Sequence, residues 1–143
     1  MNIRLGTLSD LTKIVQIENK VFTNSCWAYN IIKDELIPGK DRKTLVITED
    51  GNIIGYLMIR KFENQIDILN FAINKVHQRK GVGWKLLSHF LESLPKLTEV
   101  TLEVRQGNQQ AINLYKKAGF NKIGYRKKYY SDGSDALMMK FMR

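Results

Sequence analysis

The fold is decided by a segment in which an apolar, strand-like run leads through a basic turn into an amphipathic helix: Asn70-Phe71-Ala72-Ile73-Asn74-Lys75-Val76-His77-Gln78-Arg79-Lys80-Gly81-Val82-Gly83-Trp84-Lys85-Leu86-Leu87. Glycines at 81 and 83 let the backbone bend so that consecutive N–H groups point at one spot. The helix that begins there adds the positive end of its dipole, and Arg79 and Lys80 add full charges. This order of elements predicts a turn that holds a pyrophosphate. The alternative interpretation of the same residues is an ordinary tight turn with solvated lysines.

Two better-known phosphate loops do not fit this segment. No Gly-Lys-Ser/Thr follows, and Leu86 stands where a dinucleotide fingerprint needs its third glycine. The remaining pattern, Gln78-x-x-Gly81-x-Gly83, resembles the acetyl-coenzyme A loop of the GNAT superfamily of N-acetyltransferases, whose backbone amides hold the pyrophosphate of the coenzyme. Trp84 departs from that pattern, because a basic residue is commoner at its position.

A second motif starts near the end of a later strand: Leu102-Glu103-Val104-Arg105-Gln106-Gly107-Asn108-Gln109-Gln110-Ala111-Ile112-Asn113-Leu114-Tyr115-Lys116-Lys117-Ala118-Gly119-Phe120. The Leu-Glu-Val-Arg end, the Asn helix cap, Ala-Ile-x-Leu-Tyr and Gly-Phe together resemble the bacterial ribosomal-protein-alanine N-acetyltransferases. These GNAT enzymes acetylate the N-terminal amine of a protein. Tyr129-Tyr130 and Asp132-Gly133 match a tyrosine pair and turn in the same enzymes. The resemblance runs from Leu69 onward and is looser before it, where Cys26-Trp27 replaces Pro-Trp.

The resemblance implies roles for residues of both motifs. Glu103 matches the general base and Tyr115 the general acid of the family. The strand carrying Phe71, Ala72 and Ile73 splays from its neighbour in the family and binds the pantetheine arm through free backbone groups. The implied acetyl-CoA contacts are Phe71, Ala72, Ile73, Gln78, Arg79, Lys80, Gly81, Val82, Gly83, Trp84 and Asn108. The expected acceptor contacts are Trp27, Tyr129 and Tyr130.

Both catalytic roles suit acetyl transfer to an amine, which attacks a thioester only when neutral. Deprotonating an N-terminal α-amine at pH 7 costs about 1 kcal/mol, whereas a lysine costs roughly 4.6 kcal/mol. A carboxylate, acting directly or through one water, accepts the first proton, and a phenol protonates the departing thiolate. Taken alone, Glu103 is more often a solvent-facing strand residue. Tyr115 alone is more often core, because it shares a helix face with Ala111, Leu114 and Ala118.

Composition limits the class of protein. A length of 143 residues predicts one N-acetyltransferase domain over 1–143, and a hydrophobic content of 43% argues against disorder. The absence of an apolar run of about 18 residues or of a signal-peptide core predicts a cytoplasmic protein with no membrane partner. Cys26 stands alone, and His77 and His89 have no partners at ligand spacing, so no metal site is predicted.

The net charge of +9 favours an anionic partner. Coenzyme phosphates, RNA or a substrate near the ribosome all satisfy this charge, and so does general solubility. The densest basic and aromatic cluster covers residues 126–130, where strand alternation is as good an explanation as stacking on single-stranded nucleic acid. No specific recognition of nucleic acid is expected.

Three functions follow from these observations. The leading prediction is acetyl-CoA-dependent transfer to a primary amine, with the N-terminal α-amine of a ribosomal protein as acceptor. The first alternative is an acetyltransferase for a polyamine or aminoglycoside, which needs a carboxylate-rich pocket, whereas the substrate-side loops 22–40 and 126–135 mix both charges. The second alternative is a non-catalytic RNA- or ribosome-binding domain, which releases no thiol from acetyl-CoA.

The element order β-α-α-β-β-β-α-β-α-β-β predicts a single-domain α/β, GNAT-like fold with a mixed central sheet and helices on both faces. Strands are predicted over 2–5, 44–49, 53–62, 65–73, 98–104, 122–130 and 136–142. Helices are predicted after 10, over 29–36, from the glycine turn to Pro95 and over 109–118. A loop with exposed aromatics is predicted over 22–27.

Overall fold

The computed structural model describes residues 1–23 and 25–143, and over these residues the predicted order of elements is confirmed. The strands are β1 (Asn2–Leu5), β2 (Arg42–Glu49), β3 (Asn52–Phe62), β4 (Gln65–Ile73), β5 (Glu99–Arg105), β6 (Asn121–Arg126) and β7 (Ala136–Met142). The α-helices are α1 (Leu11–Val21), α2 (Tyr29–Leu36), α3 (Val82–Glu92) and α4 (Gln109–Ala118).

All seven strands join one sheet in the order β1-β2-β3-β4-β5-β7-β6. The strands β4 and β5 run parallel, and the other neighbouring pairs are antiparallel. A parallel pair needs a crossover connection, which α3 supplies. The mixed sheet predicted from the sequence is therefore confirmed.

Helices cover both faces of this sheet, as predicted. On one face α3 contributes Leu86 and Phe90 to a core that also contains Val100 of β5. On the other face α1 and α2 contribute Ile14 and Ile32 to a second core. Each helix carries its apolar residues at three- and four-residue spacing, so one stripe is buried and the remainder stays in water.

A β-bulge divides β4 into two halves. Met58 pairs with Asn70 but the next residue of β3, Ile59, pairs with Ile68, so Leu69 is the extra residue. The parallel ladder between β4 and β5 runs only as far as Ile68 opposite Leu102. A bulge bends its strand and increases the local twist, which explains why the ladder ends beside it.

The last hairpin differs from the prediction. The strand predicted over 122–130 ends at Arg126, so strand alternation is the wrong explanation for the basic and aromatic residues that follow. Lys128 has a left-handed φ of 51°, and its N–H donates to Asp135 Oδ1 at 2.9 Å. The Tyr130 N–H donates to the Ser134 carbonyl at 3.2 Å. Local polar contacts thus replace the ladder in this connection.

The segment predicted as a loop over 22–27 connects α1 to α2, with Asn24 outside the described residues. The expectation that its aromatic side chains are exposed is wrong for Phe22 and Trp27. Both are partly buried against the core under α1 and α2. A large aromatic ring removes more apolar surface from water there than it does on the surface.

Candidate active site

The turn before α3 is shaped by left-handed backbone conformations. Arg79 has a φ of 62° and Gly81 a φ of 80°, and Gly81 is the N-cap of α3. Glycine adopts this conformation without the strain that a Cβ brings. A Cβ built at Gly81 would meet nothing within 4 Å, so the space in front of the helix is open.

The first turn of α3 presents backbone N–H groups to this open space. The helical ladder starts where the Lys85 N–H donates to the Gly81 carbonyl at 3.0 Å. The N–H groups of Val82, Gly83 and Trp84 precede that bond and have no acceptor within the helix. The N-cap supplies no side-chain oxygen to them. An anion placed here meets several amides and the positive end of the helix dipole.

Three predicted turn residues make contacts within the protein that the sequence did not indicate. The Gln78 side chain is turned toward the protein, and its Nε2 donates to the Ile73 carbonyl at 2.9 Å, which ties the turn to the end of β4. Gly83 permits close packing, because a Cβ there would lie 3.4 Å from Leu114 Cδ2. The Lys117 ammonium lies 4.5 Å from the centroid of the Trp84 ring. A basic residue is commoner than Trp84 at this position in the family, and here α4 supplies a positive charge next to it.

Phe71, Ala72 and Ile73 follow the bulge and lie beyond the end of the ladder with β5. Their pairing with β3 continues through Leu57, Tyr56 and Gly55. On the opposite edge, the pairing with β5 has already stopped at Ile68. This edge of β4 therefore offers backbone N–H and C=O groups that β5 does not use, as the splayed strand of the resemblance requires.

Glu103 is the first residue of β5 beyond the ladder with β4. Because Leu102 and Val104 face the core under α3 and α4, Glu103 points to the other face of the sheet. Its side chain is 24% exposed, and Oε1 lies 2.9 Å from Arg126 Nε. The carboxylate is thus held in place at the edge of the gap rather than extended into solvent.

Tyr115 approaches the same gap from α4, on the opposite face of the sheet. Its ring is buried between Phe71, with ring centroids 6.3 Å apart, and Phe120 at 5.6 Å. Burial, with a smaller contribution from Tyr130, raises the pKa of Tyr115 far above its ordinary value. The hydroxyl therefore keeps its proton, and the ring also fills the core, so the two explanations for this residue are compatible.

The connection between β6 and β7 brings the tyrosine pair to Glu103. The rings of Tyr129 and Tyr130 meet edge to face with centroids 5.1 Å apart. A hydrogen bond with the Glu103 carboxylate is the main reason that the pKa of Tyr129 is raised. The guanidinium of Arg105 lies 4.1 Å from the centroid of the Tyr130 ring. The predicted residues Glu103, Tyr129 and Tyr130 thus belong to one cluster.

Arg105 and Asp132 support this cluster and were not predicted as site residues. Arg105 Nη1 lies 2.6 Å from Asp132 Oδ2 and 2.5 Å from Ser134 Oγ. Hydrogen bonds from Ser134, and then from Arg105, lower the pKa of Asp132 to about 2. The Leu-Glu-Val-Arg motif already contained Arg105, so its position two residues after Glu103 was an available signal.

Two further predicted site residues, Trp27 and Asn108, belong to other elements of the fold. The Trp27 ring forms a wall of a cavity of about 380 Å³ on the α1 and α2 face. Asn108 is the N-cap of α4, as predicted, and its side-chain oxygen accepts the Ala111 N–H at 3.2 Å. Its predicted contact with the coenzyme stays a prediction.

A buried carboxylate on α1 was also missed. Glu18 is 1% exposed and accepts the backbone N–H of Trp27 at 2.8 Å and Nδ2 of Asn70 at 2.6 Å. The Tyr56 hydroxyl donates to the same carboxylate. The available signal was the position of Glu18 on the apolar face of α1, where an acidic residue needs partners.

Within residues 1–23 and 25–143, no group of three or more His, Cys, Asp or Glu side chains is arranged to hold a metal ion. Over the same residues, no helix is long and apolar enough to cross a membrane.

Residues 10–120 match the family model described as Acetyltransferase (GNAT) family. The chain belongs to the GNAT acetyltransferase family. This GNAT protein is an acyltransferase, which removes the non-catalytic binding domain from the alternatives. GNAT acetyltransferases use acetyl-CoA as the donor.

Relatives and solved structures agree with this assignment. A putative [ribosomal protein bS18]-alanine N-acetyltransferase of Bacillus subtilis is 34% identical over 140 residues, with 96% of this chain and 92% of the relative covered. An N-alpha-acetyltransferase of Sulfurisphaera tokodaii is 30% identical over 152 residues, with 96% and 90% covered. The crystal structure of the ribosomal-protein-S18-alanine N-acetyltransferase from Escherichia coli has a TM-score of 0.89 at 27% identity, with 99% of this chain and 92% of that chain covered. The resemblance stated from the sequence is confirmed.

Proposed function

We propose that this GNAT enzyme, acting as one domain over residues 1–143, transfers the acetyl group of acetyl-CoA to the N-terminal α-amine of a protein. A ribosomal protein is the first candidate for the acceptor. The observation that carries the proposal is the placement of Glu103 and Tyr115 on opposite faces of the sheet at the end of the β4–β5 ladder. The names of the relatives support the choice of an N-terminal amine.

The coenzyme fits the α3 side of this gap. The amides of Val82, Gly83 and Trp84 and the charges of Arg79 and Lys80 suit a pyrophosphate, and the open space at Gly81 admits it. The edge of residues 71–73 that β5 does not use suits the amides of the pantetheine arm, which would bind as an added strand beside the Ile73 carbonyl that Gln78 already occupies. Gln78 contributes by holding the turn to β4, and Asn108 lies at the start of α4, where it could reach the coenzyme.

The reaction joins the acceptor nitrogen to the thioester carbonyl carbon and breaks the carbon–sulfur bond. Glu103 takes a proton from the acceptor ammonium, directly or through one water, and the neutral amine attacks. Tyr115 gives its proton to the departing thiolate, and its raised pKa keeps that proton available at neutral pH. Proton transfer of this kind is typically worth about 10² to 10⁴ in rate.

The acceptor enters from the face of Glu103, with Tyr129 and Tyr130 along one border and Trp27 along another. The Tyr129 hydroxyl interacts with the Glu103 carboxylate, so it also lies next to the reacting amine in this arrangement. The net charge of +9 is compatible with work close to ribosomal RNA, without recognition of an RNA sequence.

The test is acetylation of a panel of acceptors by the whole chain, read by mass spectrometry with the modified atom located. Peptides that begin with Ala or Ser and contain one internal lysine should gain an acetyl group on the α-amine. The same peptides with a blocked N-terminus are the matched controls and should remain unmodified. Predominant labelling of lysine side chains, polyamines or aminoglycosides would overturn the proposal and favour the small-amine alternative.

A further inference from the structure

A cavity of about 380 Å³ lies on the face of the sheet to which Glu103 points. One wall is Trp27, from the connection between α1 and α2, and another is Leu69, the bulged residue of β4. Asp67 also lines the cavity, and its carboxylate accepts the hydroxyl of Thr101, its register partner on β5. Glu103 is two residues beyond Thr101, so the spacing within and between strands puts its Cα about 8 Å diagonally from the Cα of Asp67. Glu103 does not line the cavity but lies close to the Asp67 and Leu69 end of it.

Both walls of this cavity are attached to the carboxylate of Glu18. Oε2 accepts the backbone N–H of Trp27 at 2.8 Å, and this bond fixes the first wall. Oε1 accepts Nδ2 of Asn70 at 2.6 Å, and Asn70 is the neighbour of Leu69. The Tyr56 hydroxyl donates to the same Oε1, and Tyr56 pairs across the sheet with Ala72. One buried side chain thus joins the connection between α1 and α2 to the part of β4 that no longer pairs with β5.

The pattern of donors explains why this position carries a carboxylate. Three donors converge on Glu18, and a carboxylate accepts at both oxygens, whereas a glutamine amide accepts at only one. A glutamine at position 18 that kept Asn70 and Tyr56 would turn its NH₂ group toward the Trp27 N–H. Two donors would then face each other in a buried place, which is unfavourable. Glutamine therefore releases the Trp27 wall selectively.

We propose that Glu18 is a positioning residue that fixes both walls of an acceptor subsite, and that this subsite takes a large side chain near the N-terminus of the acceptor protein. The inference rests on the proposed function, because it assigns the cavity to the acceptor of the same reaction. The cavity is lined by four apolar side chains and four charged ones: Trp27, Ile31, Phe62 and Leu69, and Asp34, Glu35, Arg60 and Asp67. Arg60 is paired with Glu35, and Asp67 accepts the Thr101 hydroxyl, so the apolar side chains offer the surface for an aliphatic or aromatic body.

The experiment compares Glu18→Gln with Tyr56→Phe, using acetyl-CoA and Ser-initiated peptides that carry either Gly or Leu at positions two to four. Each variant loses a buried hydrogen bond to the same cluster, but only Glu18→Gln disturbs the bond to Trp27. We expect Glu18→Gln to raise KM for the Leu peptides about tenfold, with KM for the Gly peptide and the Kd for acetyl-CoA changed less than threefold. Tyr56→Phe should change all of these constants less than threefold.

A spectroscopic measurement follows the loop independently of catalysis. The chain contains two tryptophans, so a Trp84→Phe background leaves Trp27 as the only indole. Glu18→Gln in that background should shift the Trp27 emission to longer wavelength, and Tyr56→Phe should leave it unchanged. An unshifted emission in Glu18→Gln, or an equal rise of KM for Gly and Leu peptides, would overturn the inference. Failure of the wild-type chain to acetylate any peptide would instead overturn the proposed function, and the emission would still decide whether Glu18 holds the loop.

Discussion

The strands β4 and β5 behave differently on the two sides of Leu69. Before the bulge, residues 65–68 and 99–102 satisfy each other's backbone groups in a parallel ladder. After the bulge, residues 69–73 and 103–105 have lost that partnership, and the side chains of Glu103 and Tyr115 approach the gap from either face. The paired half resembles the interior of an ordinary sheet, whereas the diverged half is where we propose that the reaction takes place. An added strand binds well where backbone groups are oriented but not yet used.

The largest expected effect is loss of coenzyme binding at the end of the diverged half. Gly81→Glu places a side chain and a negative charge in the open space before α3, so acetyl-CoA should no longer raise the melting temperature, a loss of affinity of at least about a hundredfold. Gly51→Glu is the matched control, because Gly51 also has a φ of +80° and open space around its Cβ position. If acetyl-CoA still raises the melting temperature of Gly81→Glu, the turn is not part of the coenzyme site.

Leu102→Ala tests the paired half at its last residue. Leu102 is 5% exposed and belongs to the core under α3 and α4. The truncation should lower the free energy of unfolding by about 2–5 kcal/mol, as buried leucines generally do. Chemical denaturation measures this loss, and kcat/KM of the folded enzyme should stay within about threefold of the wild type. A variant that keeps its stability but loses activity would mean that the two halves are not separable at this residue.

Glu103→Gln, one residue further along β5, should have the opposite profile. The change keeps the shape of the side chain and removes its ability to take a proton, so kcat should fall about a hundredfold, the lower end of the range for general acid–base catalysis. The melting temperature and the Kd for acetyl-CoA should change little. Steady-state kinetics beside calorimetric binding separates the two effects. Activity lost only in proportion to stability would identify Glu103 as structural.

Tyr115→Phe should give a smaller loss of activity, at least about tenfold in kcat, because water can protonate the thiolate in place of the phenol. The Phe ring preserves the packing against Phe71 and Phe120, so unfolding at pH 7 should be nearly unchanged. The comparison variant is Tyr29→Phe on the exposed surface of α2, which should retain wild-type kcat. A wild-type kcat in Tyr115→Phe would mean that Tyr115 contributes to packing and not to catalysis.

The smallest effect concerns alkaline pH. Burial raises the pKa of Tyr115 and of Tyr56 above the ordinary value of 10.0, so both keep their protons in the folded state after the unfolded chain has lost them. The folded state then binds more protons, so the contribution of these two tyrosines to stability is constant below about pH 10 and falls as pH rises above it. Each tyrosine contributes up to about 1.4 kcal/mol per pH unit. Denaturation between pH 9 and 11 should give a shallower fall for Tyr115→Phe, and an identical slope would contradict the assignment.

Features that the sequence predicted correctly depend on neighbouring residues. Asp50-Gly51 is a typical hairpin sequence and lies between β2 and β3, Asn108 caps the start of α4, and Gly119 ends that helix with a left-handed φ of 106°. In each case the donor, acceptor or conformation belongs to residues within a few positions of one another. Pattern alone is sufficient for such features.

Features that the sequence did not predict depend on specific side-chain contacts, some of them between positions far apart in the chain. Glu18 meets its three partners at separations of 9, 38 and 52 residues. The strand predicted over 122–130 ends early because Asp135 takes the Lys128 N–H. Gln78 turns toward Ile73 because the end of β4 offers a carbonyl there. A pattern in the linear sequence does not show which of these hydrogen bonds will form.

The sequence by itself determined the strand–turn–helix unit around Gly81, the capped helix α4, the order of elements and the residue types suited to acetyl transfer. It did so because dihedral preferences and hydrophobic period are local properties of the chain. The tertiary structure alone decided where the β4–β5 ladder ends, and so which residues face the gap. That position depends on the register of three strands and on the bulge at Leu69, which are set when two cores pack against opposite faces of the sheet.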